Sequence, residues 1–425
     1  MINVGSMIGS GIFLVPAAVA MYLPSWHLVL LVWIGGGIVS LFGALSVAEL
    51  GALYPSAGGQ YVYLRETYGE LCGFLYGWTA FAVIMTASIS AVAVAFATYL
   101  GYFFSFSPAS VKVVAVASIL ILTTVNCIGV KAGAIVQNGF TALKLAMLAV
   151  LVMVGAIKGS AANLSSSAPL PALSALVGPL GLALVAVLWA YDGWIEIAYV
   201  AGEVKDPQRN IPRSLIIGTL VVIVSYIATN FIYLFVLSLG KVAHSKLVAA
   251  DASTVLFGSI GAALAAVGVI FATVGSNNGF ILTGARIYYA MSKEGTVFEA
   301  LGKVHQTFRT PVNSLVAQGV WASLLVLSGT FDQLITYVIF TSWVFYALTA
   351  GAVFIARRKL PGLWRPYRTF GYPLTPILFI VFALFLVVNT LIEDPRDAGI
   401  GLGIVAMGFP LYAYWRRSGS RRRAA

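Results

Sequence analysis

An all-α membrane protein of about 12 transmembrane helices is the fold class this sequence predicts. Three observations carry the prediction. Of the 425 residues, 60% are hydrophobic and only 9% are charged, against roughly 25% charged in an ordinary soluble domain. Mean hydropathy is +0.95, too high for a surface that faces water, which excludes a cytosolic enzyme and any disordered or fibrous chain. The apolar residues fall in runs long enough to span a bilayer, about 20 residues each, without the in–out alternation of membrane strands.

Twelve helical segments follow in order: 1–20, 27–53, 71–103, 109–127, 130–158, 175–201, 211–238, 260–291, 314–329, 333–356, 373–392 and 398–415. Orientation follows from the basic residues in the loops. With the loop after the second span inside, 19 of the 25 Lys and Arg lie in the inner loops and tail, five lie outside, and Lys144 lies within a span. This places both termini in the cytoplasm of an integral, multi-pass membrane protein. The net charge of +11 is therefore topological, and no nucleic-acid partner is expected. The end of the chain, residues 416–425, reads as a basic cytoplasmic tail near anionic headgroups. Cys72 and Cys127 fall near inner helix ends, so two free thiols and no disulfide are expected.

The first span starts without the basic lead-in of a signal peptide. A full span ending near Ala20 leaves no cytoplasmic leader, so either the helix is short or the chain lacks about ten natural residues of a span. This span contains Gly5-Ser6-Met7-Ile8-Gly9-Ser10-Gly11-Ile12-Phe13 and then Pro16. Each glycine costs roughly 1 kcal/mol of helix propensity. Unwound backbone survives in a membrane only where protein or a water-filled cavity satisfies it. One reading of Gly5-x-x-x-Gly9 is a close helix contact; the other is a break in the helix.

Lys144 lies near the middle of the fifth span, about 21 Å from either end at 1.5 Å per residue, beyond the reach of a snorkelling side chain. It must face the bundle interior and find carbonyls or a carboxylate. It either fixes a broken helix, carries a proton, or is a structural lysine on stray carbonyls. The sixth span holds Trp189-Ala190-Tyr191-Asp192-Gly193-Trp194-Ile195-Glu196 near its middle, where a plain span has Leu and Val. Asp192 reads as a cap on a second half-helix, or as a contact for a cationic substrate. Trp189 is either core or an aromatic lid. Asn277 and Asn278 in the eighth span read as interhelical hydrogen bonds. Glu49 needs no functional role at the end of the second span, and Glu203 to Arg213 reads as a solvated charged loop.

The breaks in spans one and six correspond if residues 1–158 and 175–356 are two related halves, followed by two additional helices over 373–415. Paired interrupted helices in matching positions mark a transporter's binding site. A half-helix N-terminus attracts an anionic group, freed carbonyls accept from a cation, and an amino acid zwitterion carries both charges. No metal-type Cys/His cluster and no phosphate-cradling Gly-rich loop is present. Hence no enzyme activity, no cofactor and no ATP-driven step is expected.

At these residues the chain resembles the amino acid–polyamine–organocation superfamily, in particular the L-type amino acid transporter family, prokaryotic type. The first-span motif, Ala48-Glu49-Leu50 to Pro55 with Gly58-Gly59 and Tyr61, Gln137-Asn138 to Lys144, Trp189 to Trp194, and Glu203-Val204-Lys205-Asp206-Pro207-Gln208-Arg209-Asn210-Ile211-Pro212-Arg213 carry the likeness in order. The resemblance implies a LeuT-type fold with a 5+5 inverted repeat and two extra helices. It implies that the backbone amides of Ser10 and Gly11 bind the substrate carboxylate, that the carbonyls of Met7, Trp189 and Asp192 take the ammonium, and that the Trp189 ring is the gate. Lys144 would occupy the place of a sodium ion in sodium-coupled relatives. No cysteine lies between spans three and four, so no covalent partner subunit is expected, and the membrane is a prokaryotic plasma membrane.

The expected function is sodium-independent exchange of neutral L-amino acids by alternating access. Proton-coupled symport, carriage of cationic amino acids or polyamines, and a non-transporting amino acid sensor are the rivals.

Overall fold

The computed structural model describes residues 1–165, 171–328 and 331–423. The described residues are helical, with no strand among them. Span 1 is two pieces, Ile2–Met7 and Gly11–Tyr22. Spans 2 to 5 are Trp26–Leu53, Glu70–Leu100, Pro108–Ile128 and Val130–Lys158. Span 6 runs over Leu173–Tyr191, breaks, and resumes as Glu196–Tyr199. Spans 7 to 12 are Pro207–Val236, Ser259–Lys293, Val312–Ser328, Phe331–Lys359, Leu374–Glu393 and Pro395–Arg423. Among the described residues, ten helices are long and apolar enough to cross a membrane. The broken span 1 and the 17-residue Val312–Ser328 bring the total to the expected twelve.

Local chemistry sets several boundaries. The Ser25 hydroxyl accepts the Leu28 N–H at 3.3 Å and starts span 2. Ser107 accepts the Ser110 N–H at 3.1 Å, with Pro108 behind it supplying a preset φ to span 4. Span 3 contains a π-helical turn at Ala80–Ile84. Such a turn frees carbonyls from the i→i−4 ladder, and side chains from other spans take two of them. Tyr288 donates to Ala80 at 3.3 Å and Trp321 to Ala82 at 3.0 Å.

Two packed groups emerge. Spans 1, 2, 6 and 7 form one bundle, in which span 7 lies along span 2 and Gly11–Tyr22 lies along Leu173–Tyr191. Spans 3, 4, 8 and 9 form the other. Span 5 packs on spans 7 and 8, and span 10 on spans 2, 3, 11 and 12. The breaks lie where the first group meets span 8.

Several expectations need correction. Residues 54–70 and 238–260 hold helices rather than plain loops: Gln60–Tyr68 between spans 2 and 3, and Leu239–His244 with Val248–Phe257 between spans 7 and 8. The latter two pack on Gly11–Tyr22, so their apolar faces cover the broken helix. The charged residues from Glu203 to Arg213 are exposed, as expected, but only the first part is loop. Asp206 adopts a left-handed conformation, φ 47°, and Pro207 opens span 7 directly behind it. The last helix continues to Arg423 and so takes in most of the basic tail. The expected end of span 9 at 329, and residues 424–425 of the tail, lie outside the described residues.

Candidate functional site

The two breaks touch. Gly193 sits at φ +100°, a backbone state that L side chains rarely adopt, and a Cβ there would lie 3.0 Å from Ser6 Cβ and 3.1 Å from the Met7 nitrogen. A Cβ on Gly11 would lie 2.6 Å from Ala190 Cα. Backbone therefore approaches backbone at both points, and only glycine permits it. The packing and break readings of the first motif both hold, since a side chain on Gly5 would overlap Gln137 and Thr141 of span 5.

The juxtaposition has an electrostatic consequence. Gly11–Tyr22 begins at the break, so its positive dipole end points there. Leu173–Tyr191 ends at the break, so its negative end points there. The N–H groups of Ser10 and Gly11 have no hydrogen-bond partner among the described residues. Opposite partial charges thus lie side by side, as a zwitterion requires.

Three groups hold the unwound backbone. The Lys144 ammonium, 1% exposed, donates to the Gly5 and Ile8 carbonyls and lies 3.4 Å from that of Ala272 in span 8. It ties span 5 to spans 1 and 8, and among the described residues it pairs with no carboxylate. Ser276 of span 8 donates to the Ser6 carbonyl at 2.7 Å. Tyr226 of span 7 reaches the Met7 carbonyl at 2.6 Å and the Ala190 carbonyl at 3.0 Å. The last contact bears on one expected ammonium ligand. The Met7 carbonyl also accepts the Gly9 N–H at 2.9 Å and shares the single Tyr226 hydrogen with Ala190. It meets a substrate only after Tyr226 turns away.

Asp192 and Trp189 flank the second break. The Asp192 carboxylate accepts the Tyr346 hydroxyl of span 10 at 2.7 Å and meets the Gly193 N–H. It stays within the break rather than capping Glu196–Tyr199, whose N-cap is Ile195. Of the two indoles in the motif, Trp194 is packed on Tyr346 and Phe379. Trp189, 8% exposed, makes no ring contact among the described residues. Asn278 does join helices, bonding Asn126, Gly133 and Gln137.

Sequence reasoning missed the polar links at the basic end of the bundle. Arg286, 1% exposed, holds Glu203 at 2.9 Å and so joins span 8 to the end of span 6. Arg65 meets Glu294 at 2.6 Å. Burial pulls the Arg65 guanidinium down, but the Glu294 and Glu66 carboxylates outweigh it and hold it above its ordinary value. Both pairs line a cavity of about 560 Å³. Glu49 is no bystander either. At 1% exposure it accepts from Arg357 at 2.7 Å and from the Thr369 N–H and hydroxyl at 2.8 Å. A buried carboxylate that stays ionised needs pairing of this kind. A hydroxyl relay runs from Tyr76 to Tyr199 (2.7 Å), to Gln60 (3.2 Å), and on to Thr349 (2.8 Å).

A bundle of about twelve spans with two interrupted helices meeting within the membrane is the architecture of a secondary transporter. Comparison with known proteins makes the class specific. A family model described as amino acid permease matches residues 1–407, and this chain belongs to that family. The serine/threonine exchanger SteT of Bacillus subtilis is 36% identical over 96% of this chain and 93% of its own length. The b(0,+)-type amino acid transporter 1 of Mus musculus is 33% identical over 93% of this chain and 81% of its own. The large neutral amino acids transporter small subunit 2 of Homo sapiens is 34% identical over 98% and 79%. The chain is an integral membrane amino acid transporter of the L-type branch, and not an enzyme.

Proposed function

We propose that the chain is a sodium-independent exchanger of neutral L-amino acids that works by alternating access. The observation that carries this reading is the Lys144 ammonium, a fixed cation on the carbonyls of spans 1 and 8. A built-in charge leaves no need for a transported ion to close the break. Exchange is supported by the likeness to a serine/threonine exchanger.

The substrate carboxylate lies on the free amides of Ser10 and Gly11, and its ammonium on the carbonyls of Trp189 and Asp192, joined by Met7 once Tyr226 moves. The Trp189 ring is the gate. Neutral side chains are favoured because Tyr346 already engages the Asp192 carboxylate. The two halves, 1–158 and 175–356, form an inverted repeat, with 373–415 added. The basic end faces the cytoplasm of a prokaryotic cell, both termini lie there, and the protein needs no covalently attached subunit.

In sodium-free proteoliposomes, excess serine, threonine or leucine is expected to suppress uptake of a labelled neutral amino acid, and arginine or putrescine to leave it unchanged. Suppression by arginine or putrescine alone would move the assignment to a cationic carrier. Trp189→Ala is expected to lower the exchange rate and affinity on the order of tenfold, equivalent to about 1.4 kcal/mol. Unchanged rate and affinity would remove the ring from the gate.

A further inference from the structure

Glu196 has no place in the substrate site, yet its surroundings are incomplete in one specific way. It is 3% exposed, on the short helix just past the span 6 break. Its carboxylate meets the Thr283 hydroxyl of span 8. The same hydroxyl oxygen lies 2.9 Å from the Gly279 carbonyl. A threonine hydroxyl has one hydrogen, and a carbonyl only accepts. One hydrogen cannot serve both contacts in full, and a proton on the Glu196 carboxyl satisfies both.

No cation replaces it. None of the ion pairs among the described residues includes Glu196. The charged group that acts on it is the Asp192 carboxylate, which is of like sign. The remaining titratable neighbours are phenols: Tyr76 of span 3, Tyr199 of its own helix, Tyr288 of span 8 and Tyr346 of span 10. Span 1 presents Asn3, whose Oδ1 accepts the Ile197 N–H at 2.9 Å. The basic residues of span 7 nearest in sequence, Arg209 and Arg213, are exposed. An ionised carboxylate enclosed this way, with no counter-charge, is strongly disfavoured.

We propose that Glu196 is a proton-carrying residue that couples the exchange cycle to pH. The Glu196–Thr283 contact joins the bundle of spans 1, 2, 6 and 7 to span 8, so it parts when that bundle moves. With the contact closed, the carboxyl keeps its proton and donates to Thr283. With it open, water enters and the proton passes to that water. Before closure, the carboxylate takes a proton back from water. A proton released and recovered on the same side gives no net proton flux but makes closure depend on pH. The inference rests on the exchanger reading. Because closure needs the proton, exchange is faster at acid pH.

The test is equilibrium exchange in proteoliposomes held at equal pH inside and out, from about pH 6 to about pH 8. Wild-type exchange is expected to fall on the order of tenfold to a hundredfold across that range, following the protonated fraction of one site. Glu196→Gln offers an amide donor at every pH, so it is expected to exchange at the wild-type acid rate with a flat profile. Thr283→Val removes the partner oxygen but not the cost of burying the charge, so it is expected to slow exchange at every pH and to keep the fall with rising pH. Wild-type exchange that ignores pH overturns the proposal, as does a wild-type profile retained in Glu196→Gln or a flat profile in Thr283→Val. Arginine exchange at alkaline pH that vanishes in Glu196→Gln also overturns it, because Glu196 would then be an ionised counter-charge. Absence of exchange at every pH in the wild type would instead strike the exchanger reading.

Discussion

Replacing Lys144 with alanine is expected to lower exchange roughly a hundredfold, in protein that still purifies as a monodisperse species. The ammonium is the shared donor to the Gly5 and Ile8 carbonyls, close to that of Ala272. Those first two carbonyls frame the break of span 1 and have no helix partner beyond it. A buried polar group left without a partner costs about 1–3 kcal/mol, and each 1.4 kcal/mol is a factor of ten. Two such groups together cost about 2–6 kcal/mol, a range that brackets the factor of a hundred. The loss falls on the arrangement that places the Ser10 and Gly11 amides. Lys144→Met, which keeps the length of the side chain without its charge, is expected to lose as much. Unaltered kinetics in both variants would remove Lys144 from the mechanism.

Gly11→Ala is the second large effect. The new Cβ would lie 2.6 Å from Ala190 Cα and 2.7 Å from Ala190 Cβ. The obstacle is backbone, which cannot turn aside as the tip of a flexible side chain can. The half-helix Gly11–Tyr22 must then retreat from Leu173–Tyr191, separating the amide end from the carbonyl end. Overpacking of this kind costs about 1–3 kcal/mol, so the KM for exchange is expected to rise roughly tenfold to a hundredfold. An unchanged KM would show that the two ends need not stay together to hold the substrate.

What was legible in the sequence follows from how local each signal is. The spans were legible because hydropathy is a property of each run alone. The breaks were legible because Gly5, Gly9 and Gly11 stand within seven residues of one another, and because Asp192 and Gly193 interrupt an apolar run. Lys144 stood out because a charge within a span has few alternatives. What was lost is pairing between distant positions. Arg357 and Glu49 are 308 residues apart, and Arg286 and Glu203 are 83 apart. Each looks like an ordinary helix-end charge until the fold brings its partner. Tyr226 was invisible for the same reason, as one phenol among 20 tyrosines. Its hold on Met7 shows that an assignment by position alone names a ligand without showing whether it is free. The helices at Gln60–Tyr68 and Leu239–Phe257 were missed because they lie outside the spans, where hydropathy falls and helix periodicity is short.

The most direct test of the central claim is counterflow in sodium-free proteoliposomes. Vesicles are loaded with an unlabelled neutral amino acid or left empty, then given labelled amino acid outside. The account predicts uptake into loaded vesicles only. Equal uptake into loaded and empty vesicles, or uptake that appears only when sodium is added, would contradict it.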